Sequence, residues 1–251
     1  DDISEVITAQ RSIAWGEVAR RLAHEIKNPL TPIQLSAERM QLKLKEHLAP
    51  QQQEFLERST TTIITQVEAM KQMVNDFRDF AKTPDAQLQE LSMNGLVLDV
   101  LGLYGGTPVR ADLDQACPMI MADATQIRQV IHNLIQNGLD ASVEANKGDF
   151  SILVKTEFLP YPDSNENDKV GKGIVKLSIL DAGTGFAPRI LSRAFEPYVT
   201  TKAKGTGLGL ATVKKIVDEH GARIELRNRM EDNQVIGAEV SIYFNQLVKQ
   251  S

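Results

Sequence analysis

Residues 24 to 30 read His24-Glu25-Ile26-Lys27-Asn28-Pro29-Leu30, and they decide the fold because they lie inside a long periodic pattern rather than in a loop. From about Ser4 to Leu48 the apolar residues Leu22, Ile26, Ile33, Ala37, Met40, Leu44 and Leu48 recur at three- and four-residue steps. That spacing marks a helix burying one stripe. Pro29 has no N–H, which leaves the Glu25 carbonyl without its helical partner, and Pro32 does the same to Asn28. Each such proline costs about 3 kcal/mol unless compensated. A bend is therefore expected beside His24, and strain next to a titratable pair is a functional hint.

Outward from this helix, a short polar break containing Pro50 precedes a second run, Phe55, Ile63, Val67, Met70, Val74, Phe77 and Ala81, at the same spacing. The two runs form an antiparallel helical hairpin. Two amphipathic helices alone leave much of their apolar stripe wet, and near-heptad spacing favours pairing with a second copy. The expectation is a homodimer through residues 1–83, forming a four-helix bundle.

After Pro84 the pattern changes to short strands mixed with shorter helices. Ser92 to Tyr104 and Ala124 to Val143 read as helices. Ser151 to Phe158, Ile174 to Leu180, Arg223 to Leu226 and Glu239 to Phe244 read as strands, and polar Pro160 to Gly173 as a surface loop. The chain thus divides into an all-α domain, residues 1–86, and an α+β domain, residues 87–251, whose sheet is covered by helices on one face.

The 251 residues suit two domains, and 42% hydrophobic with 24% charged residues is ordinary for a globular chain. A net charge of −5 gives no general attraction to nucleic acid or anionic lipid, so bound phosphate must be held locally. Cys117 is the single cysteine and forms no internal disulfide, which fits a reducing compartment. No apolar stretch approaches the roughly 20 residues of a membrane span. The opening Asp1-Asp2-Ile3-Ser4 suggests a piece of something longer.

A neutral imidazole keeps one ring nitrogen available to attack phosphorus, which makes His24 a candidate nucleophile. Glu25 would take the proton on the other nitrogen. Any isolated His-Glu pair is more often an exposed helix histidine beside a carboxylate. Further clusters downstream change that balance. Asn133 and Asn137 are four apart on the helix from Ala124 and so share one side, where two carboxamides suit a triphosphate and its magnesium. Asp181-Ala182-Gly183-Thr184-Gly185 ends a strand with a carboxylate that can accept from the amine of adenine, although Asp-Gly turns are common.

Gly205-Thr206-Gly207-Leu208-Gly209-Leu210 precedes a helix, where glycines let backbone N–H groups approach phosphate. It is neither a Gly-x-Gly-x-x-Gly nor a P-loop pattern. Between the two glycine clusters, Phe195 to Lys202 suits a mobile lid containing Tyr198, Thr201 and Lys202, with Lys204 just beyond. No metal-ligand spacing of His and Cys occurs.

Taken in order, these clusters resemble the H, N, G1, F and G2 boxes of the sensor histidine kinases, over nearly the whole chain. The run Ala19 to Arg39 looks like the NtrY-type nitrogen-regulation sensor kinases. The resemblance implies a Bergerat (GHKL) type α+β sandwich for the second domain, binding ATP and Mg²⁺. It implies Asn137 on the metal, Asn133 near the phosphates, Asp181 with Gly183 and Gly185 at adenine, and Gly205 to Gly209 under the lid. It also implies phosphorylation of His24, transfer to an Asp of a response-regulator receiver domain (an NtrX-like regulator), and a role for Asn28 in dephosphorylating that regulator.

The chain departs from the pattern at Ala182, where the family usually has Asn, and at Gly138, where it usually has Ala. By the same resemblance, the fragment is the cytoplasmic part of an inner-membrane-anchored bacterial sensor. A clamp-moving ATPase of the same nucleotide fold and a degenerate dimeric scaffold stand as rival readings.

Overall fold

The computed structural model describes residues 2–81, 85–145, 151–161, 173–200, 202 and 205–248, with the side chains of 2–18 and of residue 20 left undescribed. Its contacts divide the chain into two compact units, 1–84 with 201–208 and 85–200 with 209–251.

The first unit is built on two long helices. Helix α1 (Asp2–Leu44) contains Pro29 and Pro32 without ending at either, a 3₁₀ turn follows at Lys45–His47, and α2 (Pro50–Ala81) starts with proline as its first residue. Proline is preorganised for that position, where no N–H partner is needed. The Gln52 side chain accepts from the Ala49 N–H at 3.2 Å, and Gln53 donates to the Leu48 carbonyl at 2.9 Å, which closes the turn.

The helices run antiparallel, since partner numbers fall along α2 as they rise along α1. Lys27 donates to Asn75, Lys71 to Gln34 at 2.6 Å, and Lys45 pairs with Glu57 at 3.3 Å. The seam buries Ala23, Leu30 and Ala37 against Thr60, Val67 and Val74, each set at seven-residue steps on its helix. Thr60 is tolerated there because its hydroxyl bonds back to the Leu56 carbonyl at 2.8 Å.

This corrects part of the stripe read from sequence: Leu22, Ile26, Ile33, Met40 and Leu44 are 40–47% exposed, and only Ala37 of the central positions lies in the seam. On α2, Phe55, Ile63 and Met70 are exposed as well. Two neighbouring stripes share each helix, and small residues take the close one.

The second unit is an α+β sandwich. A two-stranded ribbon pairs β1 (Gln89–Leu91) with β3 (Ile120–Ala122). A five-stranded sheet contains β2 (Val109–Leu113), β4 (Ile152–Pro160), β5 (Gly173–Leu180), β6 (Arg223–Glu231) and β7 (Gln234–Phe244), in the order β2-β4-β5-β7-β6. Among the described strands only β2 and β4 pair in parallel. Helices α3 (Met93–Leu101), α4 (Ala124–Glu144) and α6 (Gly209–Glu219) supply the other half of the core, and α5 (Pro188–Leu191) is a short turn of helix.

Alternation along the strands sends Ile152 and Val154, Val175 and Leu177, and Ile242 and Phe244 into that core. The opposite side of the sheet is polar: Lys176 pairs with Glu239 at 3.1 Å, Ser178 with Ser241 at 2.9 Å, and Tyr243 donates to Glu225 at 2.9 Å.

Three strands, β1, β2 and β3, were not expected from sequence, and β6 and β7 extend further than Arg223–Leu226 and Glu239–Phe244. The extra length comes from a tight hairpin. Asp232 and Asn233 both have positive φ, 48° and 63°, the conformation that two-residue hairpin turns favour.

Candidate functional site

Helix α4 is fixed first at its start. Asp123 caps it, its carboxylate accepting from Thr125 at 2.9 Å and Gln126 at 3.1 Å, and it also accepts from Gln87 at 3.0 Å. Burial opposes that charge, yet the N–H donors of Gln87, Gln126 and Thr125 outweigh it and hold the carboxyl below its ordinary range.

His220, 2% exposed, ties the end of α6 to this cap. Its Nε2 accepts from the Asp123 N–H at 2.9 Å, and its Nδ1 lies 2.8 Å from the Ile216 carbonyl, so Nδ1 carries the proton. The inner face of α4 is Ile127, Val130, Ile131, Leu134 and Ile135, all buried. Asn133 and Asn137 lie off that face, one turn apart and half-buried.

Asp181 follows the last residue of β5, in the centre of the sheet. Its Oδ1 accepts from the Gly183 N–H at 2.8 Å and the Ala238 N–H at 2.9 Å, so the carboxylate is held by backbone on two sides. Strand β7 comes so near that any side chain at Gly237 would run into the Asp181 carbonyl oxygen. On the other side a Cβ at Gly138 would stand 3.2 Å from the Asp181 Cβ, and one at Gly183 would stand 2.8 Å from the Ala141 Cβ. Helix α4 thus packs directly on the Asp181 turn, and Ser142 accepts from the Ala182 N–H at 3.3 Å.

One residue along α4, the Asn137 carboxamide lies 3.5 Å from the point where a Cβ on Gly209 would stand. The structure therefore brings Asn137, Asp181, Gly183 and Gly209 together along the second half of α4. Gly209 opens α6, whose buried face is Ala211, Val213, Ile216 and Val217.

Just before α6, Gly207 has a φ of 69°, and the Thr206 hydroxyl accepts from the Leu208 N–H at 3.4 Å. Gly205 donates to the Lys202 carbonyl at 3.2 Å. Tyr198 has a φ of 66° and is exposed. Thr201 and Lys204 lie outside the described residues.

In the helical unit His24 is exposed on α1. Asn28 stands one turn further on the same side, also exposed. Glu25, the next residue, accepts from Arg21 at 3.1 Å.

Residues that motif reading missed hold the Asp181 turn from outside. Asn228 accepts from the Phe186 N–H at 2.7 Å and donates to the Phe186 carbonyl at 2.9 Å, and Arg229 donates to the Asp181 carbonyl at 2.6 Å. They lie more than 40 positions away on β6, where no local signal announces them.

Comparison with known proteins identifies both parts of the chain. Residues 14–85 match the His Kinase A (phospho-acceptor) domain, and residues 122–247 match the histidine kinase-, DNA gyrase B-, and HSP90-like ATPase. The nitrogen regulation protein NtrY of Azorhizobium caulinodans is 41% identical over 234 residues, covering 92% of this chain and 29% of that protein. A putative sensor histidine kinase, NtrY-like, of Rickettsia felis is 33% identical, covering 92% of this chain and 37% of that protein. The chain thus spans about a third of the length of these relatives. Among solved structures, full-length ShkA in complex with AMPPNP superposes with a TM-score of 0.63 at 23% identity, covering 94% of this chain and 47% of that one, a likeness of fold.

Proposed function

This chain belongs to the histidine kinases, a phospho-acceptor helical domain followed by an ATPase domain, and on that premise we propose that it transfers the γ-phosphoryl group of Mg-ATP to its own His24. The observation that carries the proposal is the convergence of Asn137, Asp181, Gly183 and Gly209 along the second half of α4. A carboxylate and a carboxamide stand there beside two glycines.

The donors suit the ligand. A carboxylate fixed by two N–H groups keeps its position while accepting from the exocyclic amine of adenine, where guanine would present an oxygen. By the resemblance, Asn133 is assigned to the phosphates, and Tyr198, Lys202, Gly205, Thr206, Gly207 and Leu208 to the lid. Bound Mg²⁺ supplies neutralisation of phosphate charge, and the Asn137 carboxamide oxygen is a suitable ligand for so hard a cation. Among the described residues no three His, Cys, Asp or Glu side chains form a cage for a metal.

An imidazole nitrogen of His24 attacks the γ-phosphorus, the bond to the bridging oxygen breaks, and ADP leaves with those electrons. Glu25 receives the proton of the other ring nitrogen after exchanging its Arg21 partner. That exchange is cheap because an exposed pair of this kind is worth about 0.2–1 kcal/mol. The phosphoryl group then passes to an Asp of a receiver domain, for which we propose an NtrX-like regulator. Asn28, on the His24 side of α1, positions water for the reverse hydrolysis on that Asp.

The exposed apolar stripe of Leu22, Ile26, Ile33 and Met40, with Ile63 and Met70, supports a homodimer through residues 1–83. No described helix is long and apolar enough to cross a membrane. We place this core on the cytoplasmic side of a longer, membrane-anchored sensor. The test is phosphotransfer: label from ATP should pass through this chain to a receiver domain, and should fail to pass when the receiver's Asp is replaced by Ala.

A further inference from the structure

The turn from Asp181 to Phe186 bears the carboxylate assigned to adenine, and three of its contacts come from neighbouring residues of a single strand. Asn228 grips Phe186 at both backbone atoms, accepting from N–H at 2.7 Å and donating to C=O at 2.9 Å. Arg229 donates from Nη1 to the Asp181 carbonyl at 2.6 Å. The two residues pair across β6–β7 with Ala238 and Gly237. Ala238 is the residue whose N–H holds the Asp181 carboxylate. A short strand-to-strand unit therefore touches both the carboxylate and the backbone that carries it.

Consecutive strand residues ordinarily point to opposite faces. Here both reach the same turn, and the ladder shows a register shift immediately after, between Arg229 and Met230. Bulges of this kind re-aim side chains beside sites. The turn is moulded to the strand in return. Gly185 has a φ of 72°, and a Cβ there would stand 2.6 Å from the Val235 Cγ1 and 2.7 Å from the Asn228 Oδ1.

We infer that Asn228 and Arg229 are positioning residues for the nucleotide base, fixing where Asp181 meets the adenine amine; the inference rests on the assignment of Asp181 to adenine. Neither residue touches the phosphates in this account. Their loss should weaken nucleotide binding and blur the choice of adenine over guanine, while the phosphoryl step at saturating ATP runs at its normal rate.

The full chain is prepared as Asn228→Ala, Asn228→Asp, Arg229→Met and Arg229→Lys, and Kd for Mg-ADP and Mg-GDP, KM for ATP, the rate at saturating ATP and Tm are measured. Asn228→Ala and Arg229→Met should each raise Kd for Mg-ADP and KM for ATP about tenfold, the effect of losing hydrogen bonds of this strength. Mg-GDP affinity and the saturated rate should stay within about twofold. Arg229→Lys, which keeps a donor, and Asn228→Asp, which keeps the acceptor for Phe186, should recover part of the loss.

A fall in Tm with Kd for Mg-ADP unchanged would overturn the inference, leaving the pair a merely structural role. If Asn228→Ala or Arg229→Met does not fold, the Kd of the milder variant decides in the same way. Asp181→Asn run in parallel separates the two failures. Lost binding in that variant alone defeats only the positioning role, whereas normal binding in it defeats the adenine assignment and this inference together.

Discussion

Replacing Asp181 by Ala and by Asn separates what the carboxylate does for the fold from what it does for the nucleotide. In the native chain Oδ1 accepts from two backbone N–H groups, Gly183 at 2.8 Å and Ala238 at 2.9 Å. Alanine leaves both donors without that acceptor inside the protein, at about 1–3 kcal/mol each, so a loss of about 2–6 kcal/mol in stability is expected. Asparagine keeps an oxygen facing the same two donors and forfeits only the charge assistance, so a loss of about 1–2 kcal/mol is expected.

The second oxygen becomes an NH₂ group, which faces the adenine amine donor to donor. Mg-ADP affinity should then fall by about 1.5–3 kcal/mol, or from about tenfold to more than a hundredfold. Urea unfolding measures the first quantity and calorimetric titration with Mg-ADP the second. An Asp181→Asn protein that folds and binds Mg-ADP as tightly as wild type would refute the reasoning.

His220→Phe should cost about 1–3 kcal/mol, because the buried Asp123 N–H loses its acceptor while the Ile216 carbonyl keeps the backbone N–H of residue 220; urea midpoints check it, and a change below about 0.5 kcal/mol would contradict it. Asp114 accepts from Phe158 and Ala116, each at 2.9 Å, and these N–H groups depress its carboxyl below the ordinary range against the opposing effect of burial, with Lys155 assisting. A depressed folded value means stability that is present above the unfolded pKa and lost as pH falls through the folded one. Wild type should therefore lose stability on acidification below about pH 4 more steeply than Asp114→Asn, and parallel urea-midpoint curves would count against this. Asn28→Ala should spare phosphorylation of His24 and slow dephosphorylation of the regulator, as followed by loss of label from the receiver; equal rates for the two proteins would remove that role.

The helices were legible because their signals are long. Two runs of apolar residues at three- and four-residue steps need no tertiary information, and both exist in the structure. Which apolar positions face the seam was not legible, because Ala23 and Leu30 compete with Leu22, Ile26 and Ile33 on an adjacent stripe of the same helix. The choice depends on how closely two backbones approach.

Strands β1 and β3 span three residues each, too few to show alternation, and β2 reads Val-Arg-Ala-Asp-Leu, with mostly exposed positions. The far half of β6, Arg227-Asn228-Arg229-Met230-Glu231, has poor strand propensity and is extended because β7 pairs with it. At the site, Asn137, Asp181 and Gly209 were readable as residue types in order along the chain. Asn228 and Arg229 were not, since their meaning arises only when the hairpin folds onto a turn more than 40 residues earlier.

The central claim is covalent capture of phosphate by one imidazole, and incubation of the full chain with γ-labelled ATP and Mg²⁺ tests it most directly. Label should be retained on the protein, labile to acid, stable to base, and absent from His24→Gln. Label released steadily as free phosphate, with none bound and no difference between wild type and His24→Gln, would identify a nucleotide hydrolase instead and contradict the account.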